Sequence, residues 1–202
     1  MKIIHYYLAP RSPWTYLGHA RLLALAQKHG AEVEPRPFAM GDVIFPMSGG
    51  LQLKDRPPQR QAYRLVELQR WSTYLGIPLH LHPRYFPVDE TSAARMIAAT
   101  IVQHGNAAAL RLTGAVLRAV WAEERDISDP QTLTRIGTEC GLDGPALYDA
   151  RMAPAAVALY DRNTQAAIDL QVFGAPWYEF EGESFWGQDR LEFLDRALAA
   201  RA

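Results

Sequence analysis

The chain has one cysteine, Cys140, in 202 residues. No disulfide can form within it, and no cysteine-based metal site or redox pair is available. Long apolar runs are also missing. The amino-terminal run Ile3 to Ala9 follows a single lysine and stops at Pro10, too short and too strand-like for a secretory signal and far below a membrane-spanning length. There is no block of Lys and Arg, and 21 basic against 22 acidic residues leave a formal charge of -1. Such a balance gives no general attraction to nucleic acid or to an anionic membrane surface. Repeats and low-complexity segments are absent as well. What remains is a protein expected in the cytoplasm, with small molecules rather than nucleic acid or membrane as partners.

What is present favours a real core. Hydrophobic residues make up 49% of the chain and aromatic residues 10%, enough for one compact unit or for one domain interrupted by another. Cys140 sits in RIGTECGLD at the end of a helical pattern and reads as a packed structural thiol.

Residues 2–8, KIIHYYL, are β-branched and aromatic and predict a strand. Residues 13–29 space apolar side chains at Trp14, Leu17, Leu22, Leu25 and Ala26 and end at Gly30, which predicts a helix. A second strand is expected in 31–39, so the opening is βαβ, and the helix amino terminus lies beside the carboxyl ends of the strands. From 41 to 58 no period survives, and a loop of that length in a compact chain is often functional. Helical patterns follow at 59–75, 90–104, 107–123, 129–140, 143–151 and 154–169. Strands are expected again at 171–180 and 183–186, then a closing helix at 188–200. The fold class is therefore α/β, with βαβ and ββα halves separated by a large all-helical insertion. Residues 1–40 and 170–202 would form one domain, and 41–169 (loop 41–58, helices 59–169) the other.

Three stretches carry chemistry of a recognisable kind: SPWTYLG (12–18), LQRWSTYLGIPL (68–79) and VFGAPWYEFEGESFWGQDRLEFL (172–194). Together with the element order they resemble the 2-hydroxychromene-2-carboxylate isomerase family, which has a DsbA-like thioredoxin fold and is related to the kappa-class glutathione transferases. Where thiol-disulfide proteins of that fold carry Cys-x-x-Cys, this chain has Ser12 and Thr15. The resemblance implies an enzyme that uses glutathione and neither metal nor nucleotide. It implies that Ser12 faces the glutathione sulfur as the catalytic residue. It also implies that Ala175, before Pro176, pairs through its backbone with the cysteinyl part of the tripeptide, and that Gln188 and Asp189 hold the γ-glutamyl end. Arg60 stands where relatives have a lysine, and D-R-P-P at 55–58 replaces an N-K-P-P segment.

Elementary chemistry gives each of these residues a use and an ordinary alternative. A helix amino terminus favours an anion, so a thiolate docked at Ser12 gains from the dipole and from one hydroxyl donor; Ser12 is also a preferred helix cap in any protein. Pro176 is a cis proline that exposes the preceding backbone if the fold resemblance holds, and an ordinary trans edge proline otherwise. Asp189 opens a helix, where an acid caps regardless of ligand. Glutathione and an aromatic carboxylate are anions, so a cation is wanted, and the loop and first helix of the insertion offer Lys54, Arg56, Arg60 and Arg64 beside Asp55. Lys54 and Arg56 are the candidates for the substrate carboxylate. Trp14, Tyr85, Phe86, Trp177 and Trp186 could line a flat aromatic pocket, with Trp14, Tyr85 and Trp186 the substrate candidates. His80 and His82 would share one face of a strand, but no third ligand stands at metal spacing, so no metal site is expected.

The resemblance implies interconversion of 2-hydroxychromene-2-carboxylate and trans-o-hydroxybenzylidenepyruvate by reversible thiolate addition, in the breakdown of aromatic compounds, by a homodimer. A kappa-like transferase that conjugates electrophiles, or a non-catalytic peptide-binding thioredoxin-like module, would keep parts of the same pattern.

Overall fold

A computed structural model describes residues 1–201. Strand β1 (Ile3–Leu8) leads through Ala9–Arg11 into helix α1 (Pro13–His29), and β2 (Glu32–Pro37) returns parallel to β1. The boundaries of α1 follow from its end residues. Ser12 has extended backbone angles before Pro13 and caps the helix with its side chain, and Gly30 closes it at φ 61°, a conformation glycine adopts without strain.

Around 41–58, where the sequence shows no period, a short π-helical stretch at Met40–Ile44 runs directly into α2 (Phe45–Ser48), and a single turn follows at Leu53–Asp55. Then come α3 (Pro58–Leu75), α4 (Thr91–Trp121), α5 (Pro130–Glu139), α6 (Gly144–Ala150) and α7 (Pro154–Asp169). The two helices expected at 90–104 and 107–123 are one element broken at Gly105, whose φ of 78° is not helical. Asp129 and Asp143 each cap the next helix just before a proline-containing first turn.

Strands β3 (Trp177–Phe180) and β4 (Glu183–Trp186) complete a four-stranded mixed sheet in the order β2-β1-β3-β4. β3 is antiparallel to β1, with Tyr6 opposite Tyr178. A single turn at Gln188–Arg190 leads into α8 (Leu191–Ala200). The expected strand 171–180 shortens to its last four residues: Val172 and Ala175 bury their side chains without joining the ladder. At 80–82 there is no strand, so His80 and His82 share no strand face; His80 instead donates its N–H to the Trp121 carbonyl.

The alternation of β1 decides the layering. Ile4, Tyr6 and Leu8 face a core built with Leu22, Met96, Val116, Trp121 and Leu194, while Tyr7 faces a second core with Phe38, Ala167, Val172 and Trp177. Each large side chain buried this way contributes about 1.5–3 kcal/mol. The first core runs continuously from the sheet into α4, α5 and α6. We propose the division into 1–40 with 170–202 and 41–169 as one of chain topology, with the core shared between the parts. Cys140 packs against the first core, and burial pushes its thiol pKa up, which suits a structural thiol.

Candidate active site

The parallel β1–α1 connection delivers Ser12 to the end of the sheet. Ser12 is 6% exposed and its Oγ accepts the Thr15 N–H at 3.2 Å. The same Oγ donates to the Ala175 carbonyl at 3.3 Å. The Ala175–Pro176 bond is cis, as the fold resemblance implied. Residues 163 positions apart thus meet at one helix terminus.

The turn before Ser12 is held from three sides. The Arg11 N–H donates to Glu90 Oε2 at 2.9 Å and the Arg11 Nε lies 3.2 Å from Glu90 Oε1. Nη1 reaches the Val88 carbonyl at 3.1 Å, and the Trp121 indole N–H donates to the Arg11 carbonyl at 3.2 Å. Glu90 is 6% exposed. Burial raises its carboxyl pKa, with Arg11 acting in the opposite direction. A pair this closed to water is expensive to break from one side.

Ser12 opens into a groove with two lobes. One, a cavity of about 370 Å³, is lined by Ser12, Arg11, Lys54, Arg64, Phe86 and Glu90. The other, about 390 Å³, is lined by Gly50, Leu51, Arg60, Phe173, Gly174 and Trp186. Trp14, Met40, Phe45, Arg56 and Ala175 form the wall common to both. Gly174 lets the Trp186 indole pack close to the backbone, because a Cβ there would meet the indole nitrogen at 2.5 Å.

The groove is cationic. Arg11 is matched by Glu90, whereas Arg56 and Arg64 have no carboxylate partner among the described residues. Arg56 stacks over Phe45 and donates Nε–H to the Leu51 carbonyl at 2.9 Å. Burial and the charge of Arg56 pull the Arg64 pKa down to about 10, and burial with Arg60 lowers that of Arg56. Such a set seeks an anion.

Of the residues selected from sequence, Ser12, Ala175, Trp14, Lys54, Arg56, Arg60 and Trp186 line the groove. Tyr85 is exposed outside it, with Arg84 stacked on its ring; its neighbour Phe86 turns inward instead. Pro176 is buried behind Ala175. Gln188 is buried too, and its carbonyl and side chain both accept from Arg21 Nη1. Asp189 pairs with Arg190 at 2.6 Å and does not line either lobe. Glu90, Phe45 and Gln52 were not legible as site residues. Gln52 joins the groove by accepting from Arg11 Nη2 at 3.4 Å and donating to the Gly41 carbonyl at 2.9 Å. The one sequence signal for this group is the adjacency of Arg11 to Ser12.

Comparison with known proteins agrees with this architecture. A DSBA-like thioredoxin domain model matches residues 3–199. A 2-hydroxychromene-2-carboxylate isomerase of Pseudomonas putida is 32% identical over 203 residues, covering 97% of this chain and 94% of that protein. Glutathione S-transferase kappa 1 of Caenorhabditis elegans is 22% identical over 201 residues, covering 95% and 88%. The solved structure of a 2-hydroxychromene-2-carboxylate isomerase superposes with a TM-score of 0.82 at 30% identity, covering 98% of this chain and 95% of that one. The chain therefore belongs to the DSBA-like thioredoxin domain family and, within it, to the 2-hydroxychromene-2-carboxylate isomerase family, with the kappa-class glutathione transferases as relatives.

Proposed function

We propose that the protein is a glutathione-dependent cis-trans isomerase of the 2-hydroxychromene-2-carboxylate type, acting on an aromatic enone acid in aromatic-compound catabolism. One observation carries the reading: the Ser12 hydroxyl, at a helix amino terminus and beside Ala175, opens into a groove with unmatched guanidinium groups. The residues fit glutathione on their chemistry. Cations meet its carboxylates, a helix terminus meets its thiolate, and the Ala175 N–H has no acceptor among the described residues and stays free for a peptide carbonyl.

The group would supply a thiolate that adds reversibly to the enone carbon, so that the former double bond rotates as a single bond before elimination returns the thiol unchanged. The chain's own part is electrostatic and steric. Ser12 and the α1 terminus hold the sulfur as an anion; Ala175 aligns the cysteinyl backbone; Gln188, Asp189 and Arg60 are assigned to the ends of the tripeptide. Lys54 and Arg56, with Trp14 and Trp186 as walls, are assigned to the aromatic acid. Tyr85, which is exposed and does not line the groove, has no support for such a role.

Turnover of 2-hydroxychromene-2-carboxylate with and without glutathione tests the proposal. Isomerisation that needs glutathione, with the thiol recovered intact by mass spectrometry, supports it. A stable conjugate would instead make the protein a kappa-like transferase, and no glutathione binding at all would leave a peptide-binding module. We further propose a cytoplasmic homodimer. Helix α3 buries only Leu68 fully and exposes Tyr63, Val66 and Tyr74, an apolar face of the kind an interface covers. Sedimentation as a monomer at micromolar concentration would remove that claim. Among the described residues no helix is long and apolar enough to cross a membrane.

A further inference from the structure

We infer that Arg64 receives the carboxylate of the aromatic acid, and that the acid occupies the Phe86 lobe of the groove rather than the Trp186 lobe. This rests on the isomerase reading above and changes one part of it: the carboxylate passes from Lys54 and Arg56 to Arg64, and Trp186, which lines only the other lobe, is no longer a wall for the aromatic acid.

The other cations are less suited. Arg11 is fully engaged by Glu90, the Val88 carbonyl and Gln52. Arg56 spends its Nε–H on the Leu51 carbonyl. Lys54 and Arg60 are exposed, where water competes for an anion, and Arg60 lines only the other lobe. Arg64 alone in the groove is half-buried and makes no hydrogen bond to the rest of the described chain.

Two aromatic rings flank it. The guanidinium carbon lies 5.2 Å from the Phe86 ring centre and 5.7 Å from that of Trp121. The aromatic neighbours offer the guanidinium no hydrogen-bond acceptor, so its N–H donors remain for an anion in the cavity. A planar fork of this kind matches a carboxylate through two parallel hydrogen bonds. Phe86, Phe45 and Trp14 line the same lobe and make its wall apolar enough for a flat ring, with Ser12 on the lining beside them. Glu90 is the one acid in this lobe's lining, and it is tied to Arg11.

The test is calorimetry with 3-(2-hydroxyphenyl)propanoate and with its primary amide, which share shape and differ in charge and lack an electrophilic double bond. Each is titrated into wild-type protein and into Arg64→Gln and Arg64→Lys variants, with and without glutathione, and glutathione is titrated separately. The acid is expected to bind wild type at least about tenfold more tightly than the amide, the scale of one charge-assisted contact. Arg64→Gln should bring that ratio close to one while leaving amide and glutathione affinities unchanged, and Arg64→Lys should lie between. Acid and amide binding equally to wild type, no binding of either, or a ratio unaffected by Arg64→Gln would overturn the inference. So would a loss of glutathione affinity in Arg64→Gln, which would give Arg64 to the tripeptide's carboxylate. If wild type fails to bind glutathione but still prefers the acid through Arg64, the glutathione reading falls and this one stands.

Discussion

The Ser12 hydroxyl donates to the Ala175 carbonyl across 3.3 Å while accepting the Thr15 N–H at 3.2 Å. Its single proton is thus held by a long, weak bond. A sulfur anion arriving at the α1 terminus is a better acceptor than a neutral carbonyl, so the hydroxyl can swing to it without losing its own cap interaction. Ser12→Ala is expected to lower turnover at neutral pH about three- to twelvefold, from the 0.5–1.5 kcal/mol of one neutral hydrogen bond. The helix terminus remains in that variant and limits the loss. Steady-state rates at saturating glutathione check it; unchanged turnover would reduce Ser12 to a cap.

Asp189→Asn tests the cofactor's other end. The carboxylate is partly exposed and paired with its neighbour Arg190. Glutathione affinity should fall by about 1–3 kcal/mol if Asp189 meets the γ-glutamyl ammonium. Calorimetry giving the wild-type affinity would leave it a residue of the turn before α8.

Glu90 and Arg11 bind the start of α1 to the start of α4. Glu90→Ala should destabilise the fold by about 3 kcal/mol, because it strands a partly buried guanidinium. Glu90→Gln retains an acceptor for the Arg11 N–H and should cost less. The pH dependence has a definite sign. Burial raises the carboxyl pKa, so the folded chain holds the proton better than the unfolded one. The stability this gives is present below the unfolded pKa and is lost as pH rises through the folded one. Relative to wild type, Glu90→Gln should therefore improve as pH rises from acid toward neutrality. Urea unfolding across that window reads it, and a constant difference would contradict it.

His19 works in the opposite direction. Its ring is buried between the Tyr6 hydroxyl at 3.3 Å and the Leu110 carbonyl at 3.1 Å. Burial lowers its pKa to about 4, partly opposed by the Leu110 hydrogen bond. The unfolded chain takes up a proton at about 6.5 and the folded chain does not, so stability is lost as pH falls between those values. By about pH 5 the loss is on the order of 2 kcal/mol. Urea unfolding of wild type and His19→Gln at neutral pH and near pH 5 compares the slopes; equal slopes would remove His19 as the cause.

Local signals were enough for the elements that build the site. Ser-Pro before a periodic run marks the α1 cap, and Gly30 marks its end. Gly-x-Pro before β3 marks Ala175 once the fold is recognised. The rest depends on distance in sequence. Arg11 meets Glu90 across 79 residues, and no periodicity reports a pairing of that kind. Tyr85 and Phe86 are equally aromatic on paper, and only the turn before α4 decides that Phe86 faces inward. Residues 171–176 read as strand because the stretch is apolar and runs into β3, yet Val172 and Ala175 are buried by the second core and not by ladder hydrogen bonds, and Phe173 is exposed.

The central claim is that Ser12 and the α1 terminus hold a glutathione thiolate. Thiolate absorbance of bound glutathione, followed against pH in wild type and in Ser12→Ala, tests it most directly. In wild type the titration should lie below the free thiol value of about 8.5. In Ser12→Ala it should move up by about half a unit to one unit, the equivalent of one neutral hydrogen bond. Superimposed curves would show that the hydroxyl does not touch the sulfur and that the thiol, if activated at all, is activated elsewhere.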